Sequence, residues 1–299
     1  MKPSRLLSQY AWIVRKLYQR PMTLEELQEA WRDEEIGDGN ELSRTTFTRH
    51  RNAIEDMLGL EIECDRKRDY KYAIAHEYTP DDFSIVKYML STVSLGDVLQ
   101  KNLSLRERIL LEEVNEGLEF MPDIFRAMRQ KRKIRMTYCK FGGDEYETTV
   151  EPYALRIFRR RWYMLGKNAK YFSTYSFDRI RQVEVTREAF EMDRDFSAKA
   201  YFADFFGVYT DNNIAKQRVI VRAYSHARHY LDTLPLHPSQ QIIATGDDYV
   251  DFAYDIRPTN DFLGELLRHE AGVEILEPAA LREEMMQKVA AIYEKYHKK

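Results

Sequence analysis

The sequence predicts an α+β chain of several domains, and three observations predict it. The apolar period is helical through the first third of the chain. From Lys133 it changes to two, with glycine turns between short runs. Beyond Gln217, strand-like and helix-like segments alternate. A chain of 299 residues has room for about two ordinary domains or three small ones. The boundaries are placed at 1–78 for a helical domain with a hairpin, 79–120 for a helical connector, 121–200 for a small antiparallel β-barrel, and 201–299 for a C-terminal α/β sandwich.

The first helix is read from Leu6, Leu7, Tyr10, Ile13, Val14 and Leu17 at helical spacing, and Pro21 ends it. Arg15 and Lys16 interrupt its apolar stretch, so it is not read as a signal peptide. Thr23 and Glu26 open the second helix in capping-box positions, with Leu24, Leu27 and Trp31 as its apolar stripe. The third runs from Ser43, a candidate N-cap, to Gly59 just past its end. Phe47, Ile54, Met57 and Leu58 are read as its core side. Two short strands, "EIEC" and "YKYAI", flank the tip "DRKRD". Three helices and a hairpin are the layout of a winged helix-turn-helix. The polar side of the third helix carries Arg44, Thr45, Thr48, Arg49 and Asn52. Residues of this kind near a helix start suit the major groove, where Arg forks to guanine and Asn to adenine. Arg66, Lys67 and Arg68 at the hairpin tip suit phosphate or the minor groove. The alternative is an ordinary solvated face, and residues 1–80 are indeed not basic overall, with 13 Lys+Arg against 15 Asp+Glu.

"DDFSIVKYMLSTV" and "SLRERILLEEV" continue as helix, with an apolar stripe that serves either as core or as a seam to a second copy. "KIRMTYCKFGGDEYETTVEPYAL" reads as strand, turn at Gly142-Gly143, strand. "RRRWYMLGKN" and "KYFSTYSFDRIRQVEV" add strands, and several short antiparallel strands suit a closed barrel. Alternation along "RRRWYML" puts Arg159, Arg161, Tyr163 and Leu165 on one face and Arg160, Trp162 and Met164 on the other. The C-terminal order is strand, helix, hairpin across Gly246-Asp247, helix and strand. That βαββαβ order matches a ferredoxin-like sandwich, and a last helix follows Pro278.

Net charge is −3, but its distribution is uneven: Arg126 to Arg181 holds 15 Lys+Arg and 5 Asp+Glu, with 11 aromatic residues among them. Basic residues interleaved with aromatics suit phosphates and bases together. Two cysteines, Cys64 and Cys139, exclude a disulfide framework and a cysteine-based zinc site, and fit a reducing cytoplasm. No apolar run is long enough to span a membrane.

The middle window resembles the WYL-domain family. Glu151-Pro152-Tyr153, Trp162-Tyr163 and Phe177-Asp178-Arg179-Ile180 carry the likeness, in order and spacing. Met164 stands where the name-giving Leu would be, a volume-conserving exchange. The end of the chain, through "VEILEPAALREEMMQKV", resembles the WCX extension that often follows such domains, and the start resembles their usual winged helix. The resemblance implies a bacterial transcription regulator that commonly dimerises. It also implies an Sm-like barrel sensing an anionic ligand, nucleotide or single-stranded nucleic acid, and a winged helix on duplex DNA. At matching positions the ligand pocket would use Tyr153, Arg159, Arg160, Arg161, Tyr163 and Arg179. Arginine suits the role because its planar fork meets phosphate with two bonds.

No cofactor, metal or catalytic residue is expected. His226, His229 and His237 lack the further ligands a metal needs, and there is no P-loop, GxGxxG or GxSxG. A nucleic-acid-processing enzyme would need clustered carboxylates for a metal. The basic window offers Asp144, Glu145, Glu147, Glu151 and Asp178, the first three at or beside a hairpin tip. The regulator is therefore the leading expectation, ahead of such an enzyme or of an adaptor without DNA contact.

Overall fold

The computed structural model describes residues 3–37, 39–66, 69–75, 80–110 and 117–297. It divides into two compact units, Met1–Glu112 and Glu113–Lys299. Both mix helices with antiparallel sheet. No helix among the described residues is long and apolar enough to cross a membrane.

The first unit holds α1 (Pro3–Gln19), α2 (Leu24–Asp33), α3 (Arg44–Leu58), the hairpin β1 (Ile62–Asp65) and β2 (Lys71–Ile74), and α4 (Pro80–Lys101). The α2 capping box forms as expected: Thr23 Oγ1 accepts from the Glu26 amide at 3.2 Å, and Glu26 accepts from the Thr23 amide at 2.8 Å. Ser43 caps α3, and Gly59 ends it at φ +65, the left-handed value glycine tolerates. Ile13, Leu27, Phe47 and Ile54 form the shared core and are almost fully buried; each contributes about 1.5–3 kcal/mol of hydrophobic stabilisation. Met22 exchanges backbone hydrogen bonds with Tyr72 at 3.0 and 2.7 Å, tying the hairpin to the α1–α2 connection. Met57 was expected on the core side of α3 but is 57% exposed. In the last turn of α3 it is Leu58, one residue on, that packs against the core, which leaves Met57 on the outer side. Of the second connector segment, the described part, up to Leu110, is not α-helical, and residues 111–114 lie outside the described residues. Leu103–Arg108 form short 3-10 turns, and Leu110 is exposed.

The second unit begins with α5 (Met121–Gln130), followed by β3 (Arg132–Cys139), β4 (Glu145–Phe158), β5 (Arg161–Lys167), β6 (Phe172–Ser176) and β7 (Ile180–Ala189). They form one five-stranded antiparallel sheet of order β6-β5-β4-β3-β7. The expected closed barrel is not formed, because the edge strands β6 and β7 do not hydrogen-bond to each other. The Phe177–Arg179 3-10 turn links them instead. Gly142 and Gly143, at φ +106 and +98, make the β3–β4 turn as expected. One sheet face packs on α5 through Ile134, Met136 and Met164. The other, with Ala154 and Leu165, is covered by Phe190 and partly buried residues through α6 (Ala198–Phe202). The "WYML" strand is thus apolar because both its faces are covered.

Next come β8 (Gln217–Tyr224), α7 (Ser225–Thr233), β9 (Gln241–Thr245), β10 (Tyr249–Ile256), α8 (Asn260–Leu267), β11 (Val273–Glu277) and α9 (Ala279–His297). Their antiparallel sheet has the order β11-β8-β10-β9, which is the ferredoxin-like arrangement read from the sequence. Leu231 from α7, with Phe262 and Leu266 from α8, packs on Val219, Val221 and Tyr254 of the sheet.

Candidate functional site

In the first unit, the buried side of α3 fixes what its outer side offers. Phe47, His50 and Ile54 point inward, so Arg44, Thr45, Thr48, Arg49 and Asn52 are left exposed. With Ala53 and Asp56 they line a shallow groove of about 710 Å³. Thr48 donates its hydroxyl to the Arg44 carbonyl at 2.9 Å, so it keeps only lone pairs for a partner. Arg66 is exposed at the end of β1; Lys67 and Arg68 lie outside the described residues. His50 had no role in the sequence reading. It is 1% exposed, and neither ring nitrogen has a hydrogen-bond partner.

In the second unit, the arginine run is not one strand. β4 ends at Phe158 and β5 begins at Arg161, so Arg159 and Arg160 are the turn, at φ +47 and +65. Such a two-residue turn usually takes Asn or Gly, and a left-handed side-chain-bearing residue costs roughly 1–2 kcal/mol. The alternation expected through Arg159 therefore breaks. Arg161, Tyr163 and Leu165 do share a face, paired across β4 with Phe158, Arg156 and Ala154.

Arg161 reaches Asp178 at 3.4 Å, and Asp178 also accepts the Ser176 hydroxyl. Arg181 donates to the Asp178 carbonyl at 3.3 Å. Arg179 donates from Nε to the Cys139 carbonyl at 2.9 Å, and its guanidinium lies 4.7 Å from the Tyr138 ring and 3.9 Å from the Phe141 ring. Phe141 is 86% exposed on its outer side. Burial pushes the Tyr138 hydroxyl above its ordinary value, so it stays protonated while accepting the Ser176 amide at 3.0 Å. Arg161 and Arg181 thus both contact Asp178 in the Phe177–Arg179 turn, Arg181 also pairing with Glu145 at 3.5 Å, while the Arg179 side chain leaves the turn toward Cys139 and Phe141. Tyr163 is half-buried beside Arg161 in the strand. Tyr153 is elsewhere: it is buried among Phe172, Phe190 and Phe196 at ring distances of 4.9, 5.8 and 4.9 Å.

The Phe177–Arg179 turn and the β4–β5 hairpin fall in residues 119–185, which match the WYL domain family; residues 215–293 match the WCX domain. The chain carries a WYL domain followed by a WCX domain. No curated protein matches it. Among solved structures it is similar to the proteasome accessory factor B/C (PafBC) of Arthrobacter aurescens, with 18% identity and a TM-score of 0.37. That match covers 97% of this chain and 47% of the other, so this chain spans less than half the length of that relative. It is also similar to a CRISPR Cas-related protein, with 11% identity, a TM-score of 0.39, and coverage of 98% and 84% respectively.

Arg159 joins the WYL domain to the WCX domain. Its guanidinium pairs with Glu265 of α8, a carboxylate that also meets Arg268 at 3.5 Å. Beside it, Phe158 meets Phe206 edge to face at 5.5 Å. Glu265 and Arg181 were missed in the sequence reading. Arg181 lies inside the basic window, whereas Glu265 is remote in sequence and carries no local signal.

Proposed function

We propose that this WYL-domain protein is a transcription regulator without catalytic activity. It reads duplex DNA with α3 and responds to an anionic ligand at the arginines around Asp178. The carrying observation is the exposed outer face of α3, where Arg44, Thr45, Thr48, Arg49 and Asn52 are backed by a well-packed inner face. In this reading the first unit is a winged helix-turn-helix. Arg49 and Asn52 meet base edges, and Arg66 meets phosphate beside the wing. On a duplex selected from a random library, Arg49→Ala is expected to cost about 1–3 kcal/mol, or roughly 5- to 150-fold in affinity. Thr48→Ala costs less, because that hydroxyl is already donated to the backbone. A folded Arg49→Ala, Asn52→Ala double variant with full affinity for the selected site defeats the assignment.

The ligand in this reading is a nucleotide or single-stranded nucleic acid, with its phosphates on Arg161, Arg179 and Arg181. Single strands bind where cations and aromatic faces alternate, and Arg179 between Tyr138 and Phe141 is such a place. We also read the working form as a homodimer, because twofold repetition lengthens a short DNA site. Apolar side chains face solvent on α4 (Ile85, Leu95, Val98) and on α9 (Met286, Val289, Tyr293). Sedimentation at one chain's mass at micromolar concentration, with and without DNA, counts against the dimer.

A further inference from the structure

We propose that Glu265 is a built-in competitor for Arg159. In this proposal the WCX domain holds the WYL-domain hairpin tip with its own carboxylate, and a phosphate-bearing ligand displaces it. This rests on reading the nearby arginines as the ligand site. Three observations carry it. Glu265 is only 6% exposed, and a buried carboxylate needs a cation to stay charged. Arg159 supplies one from a turn whose two residues both sit at positive φ without glycine; such conformations persist where surrounding contacts enforce them. Phe158, next in the chain, meets Phe206, which in turn meets Phe262 of α8 at 6.1 Å. The tip is therefore held to one helix by an ion pair and by an aromatic chain.

The Arg159 side chain is still 48% exposed, so an anion from solvent reaches it without opening the core. Phosphate competes well there, because it offers the guanidinium a two-point fork. Once Arg159 turns to the ligand, Glu265 keeps Arg268, itself 61% exposed, and the tip is no longer pinned to α8. Ligand and Glu265 then favour two different arrangements of the tip, as any ligand-driven switch requires.

The test uses the full chain and two probes, inorganic pyrophosphate and a short oligothymidylate. Their affinities and the backbone hydrogen exchange of residues 158–161 are measured for the wild type and for Glu265→Gln, Arg159→Ala and Arg161→Ala. Glu265→Gln is expected to bind at least one probe more tightly, by roughly tenfold if the pinned tip outnumbers the free tip ten to one. Its tip amides exchange faster without ligand. Arg159→Ala frees the tip from the other side, leaving α8 unchanged, so its tip exchanges faster while the probe binds more weakly. Unchanged affinity in Glu265→Gln, or a tip as protected as in the wild type, overturns the competitor. If Arg161→Ala loses the probe while Glu265→Gln behaves as wild type, the sensing site stands and the competitor falls. If neither wild type nor Glu265→Gln binds a probe but tip exchange still rises, both fall, and the contact is a structural pin.

Discussion

Gly117→Ala is expected to be the most damaging small substitution in the second unit. Gly117 sits at φ +93, and an added Cβ would lie 2.2 Å from the Phe177 carbonyl oxygen and 2.4 Å from its carbon. Both are backbone atoms, so no side-chain rotation relieves the clash. The left-handed conformation costs roughly 1–2 kcal/mol for alanine, and forcing packed structure apart adds about 1–3 kcal/mol. At about 2–4 °C per kcal/mol for a unit of this size, the melting temperature falls by roughly 4–20 °C. Trp162 fluorescence follows it. Gly142→Ala is the control, because that glycine is also at positive φ, +106, yet nothing lies within 4 Å of its added Cβ. Equal melting of the two variants would remove the clash as the cause. Phe177 also opens the turn that carries Asp178 and Arg179, so Gly117→Ala should weaken anion binding at temperatures where the unit remains folded.

What could be read from the sequence was mostly local. Thr23 with Glu26, and Ser43 with Gly59, mark helix ends through contacts within one turn, and both caps form. The βαββαβ order could be read because strand and helix periods alternate with clear turns between them. The reading failed where a distant contact overrides a local preference. Arg159 and Arg160 look like strand residues, because neither is a usual turn residue; Glu265, far away in the chain, is what rewards the turn they make. The family resemblance puts Tyr153 in the ligand pocket, but three phenylalanines from later in the chain enclose it. The barrel expectation overlooked the Phe177–Arg179 turn, which separates β6 from β7. Of the residues expected at the anion site, Arg161 contacts Asp178, next to Arg179 in the chain, and Arg159 pairs with the WCX domain. That division depends on strand register and could not be seen in composition.

The second large effect is expected in the first unit, from His50. Its ring is enclosed by Tyr10 at 5.2 Å and Trp31 at 6.1 Å. Burial, helped by the neighbouring charge of Arg49, pushes its pKa down from 6.5 to about 4. The folded form thus resists protonation, while the unfolded chain takes the proton near 6.5. His50 therefore leaves stability intact above 6.5 and erodes it as pH falls from there toward 4. A shift of this size corresponds to a loss on the order of 3 kcal/mol at the low end, a large part of the 5–15 kcal/mol typical of a domain. Glu34 acts in a different window. Its carboxyl is held below 4.5 by the hydrogen bond from Lys16, so its contribution is lost only below about that pH. His50→Phe keeps a ring in the same place and removes the proton and both unpartnered nitrogens. It should raise stability at neutral pH by about 1 kcal/mol, as expected when a buried unpaired polar group is removed. It should also flatten the decline between pH 6.5 and 4. The measurement is urea unfolding across that range in a Trp162→Phe background, where Trp12 and Trp31 report on this unit alone. Because His50 sits on the reverse face of the helix that carries Arg49 and Asn52, DNA affinity should fall through the same window in the wild type and hold in His50→Phe. If the two proteins lose stability in parallel from pH 6.5 to 4, the acid sensitivity belongs to other groups and His50 is only a tolerated core residue.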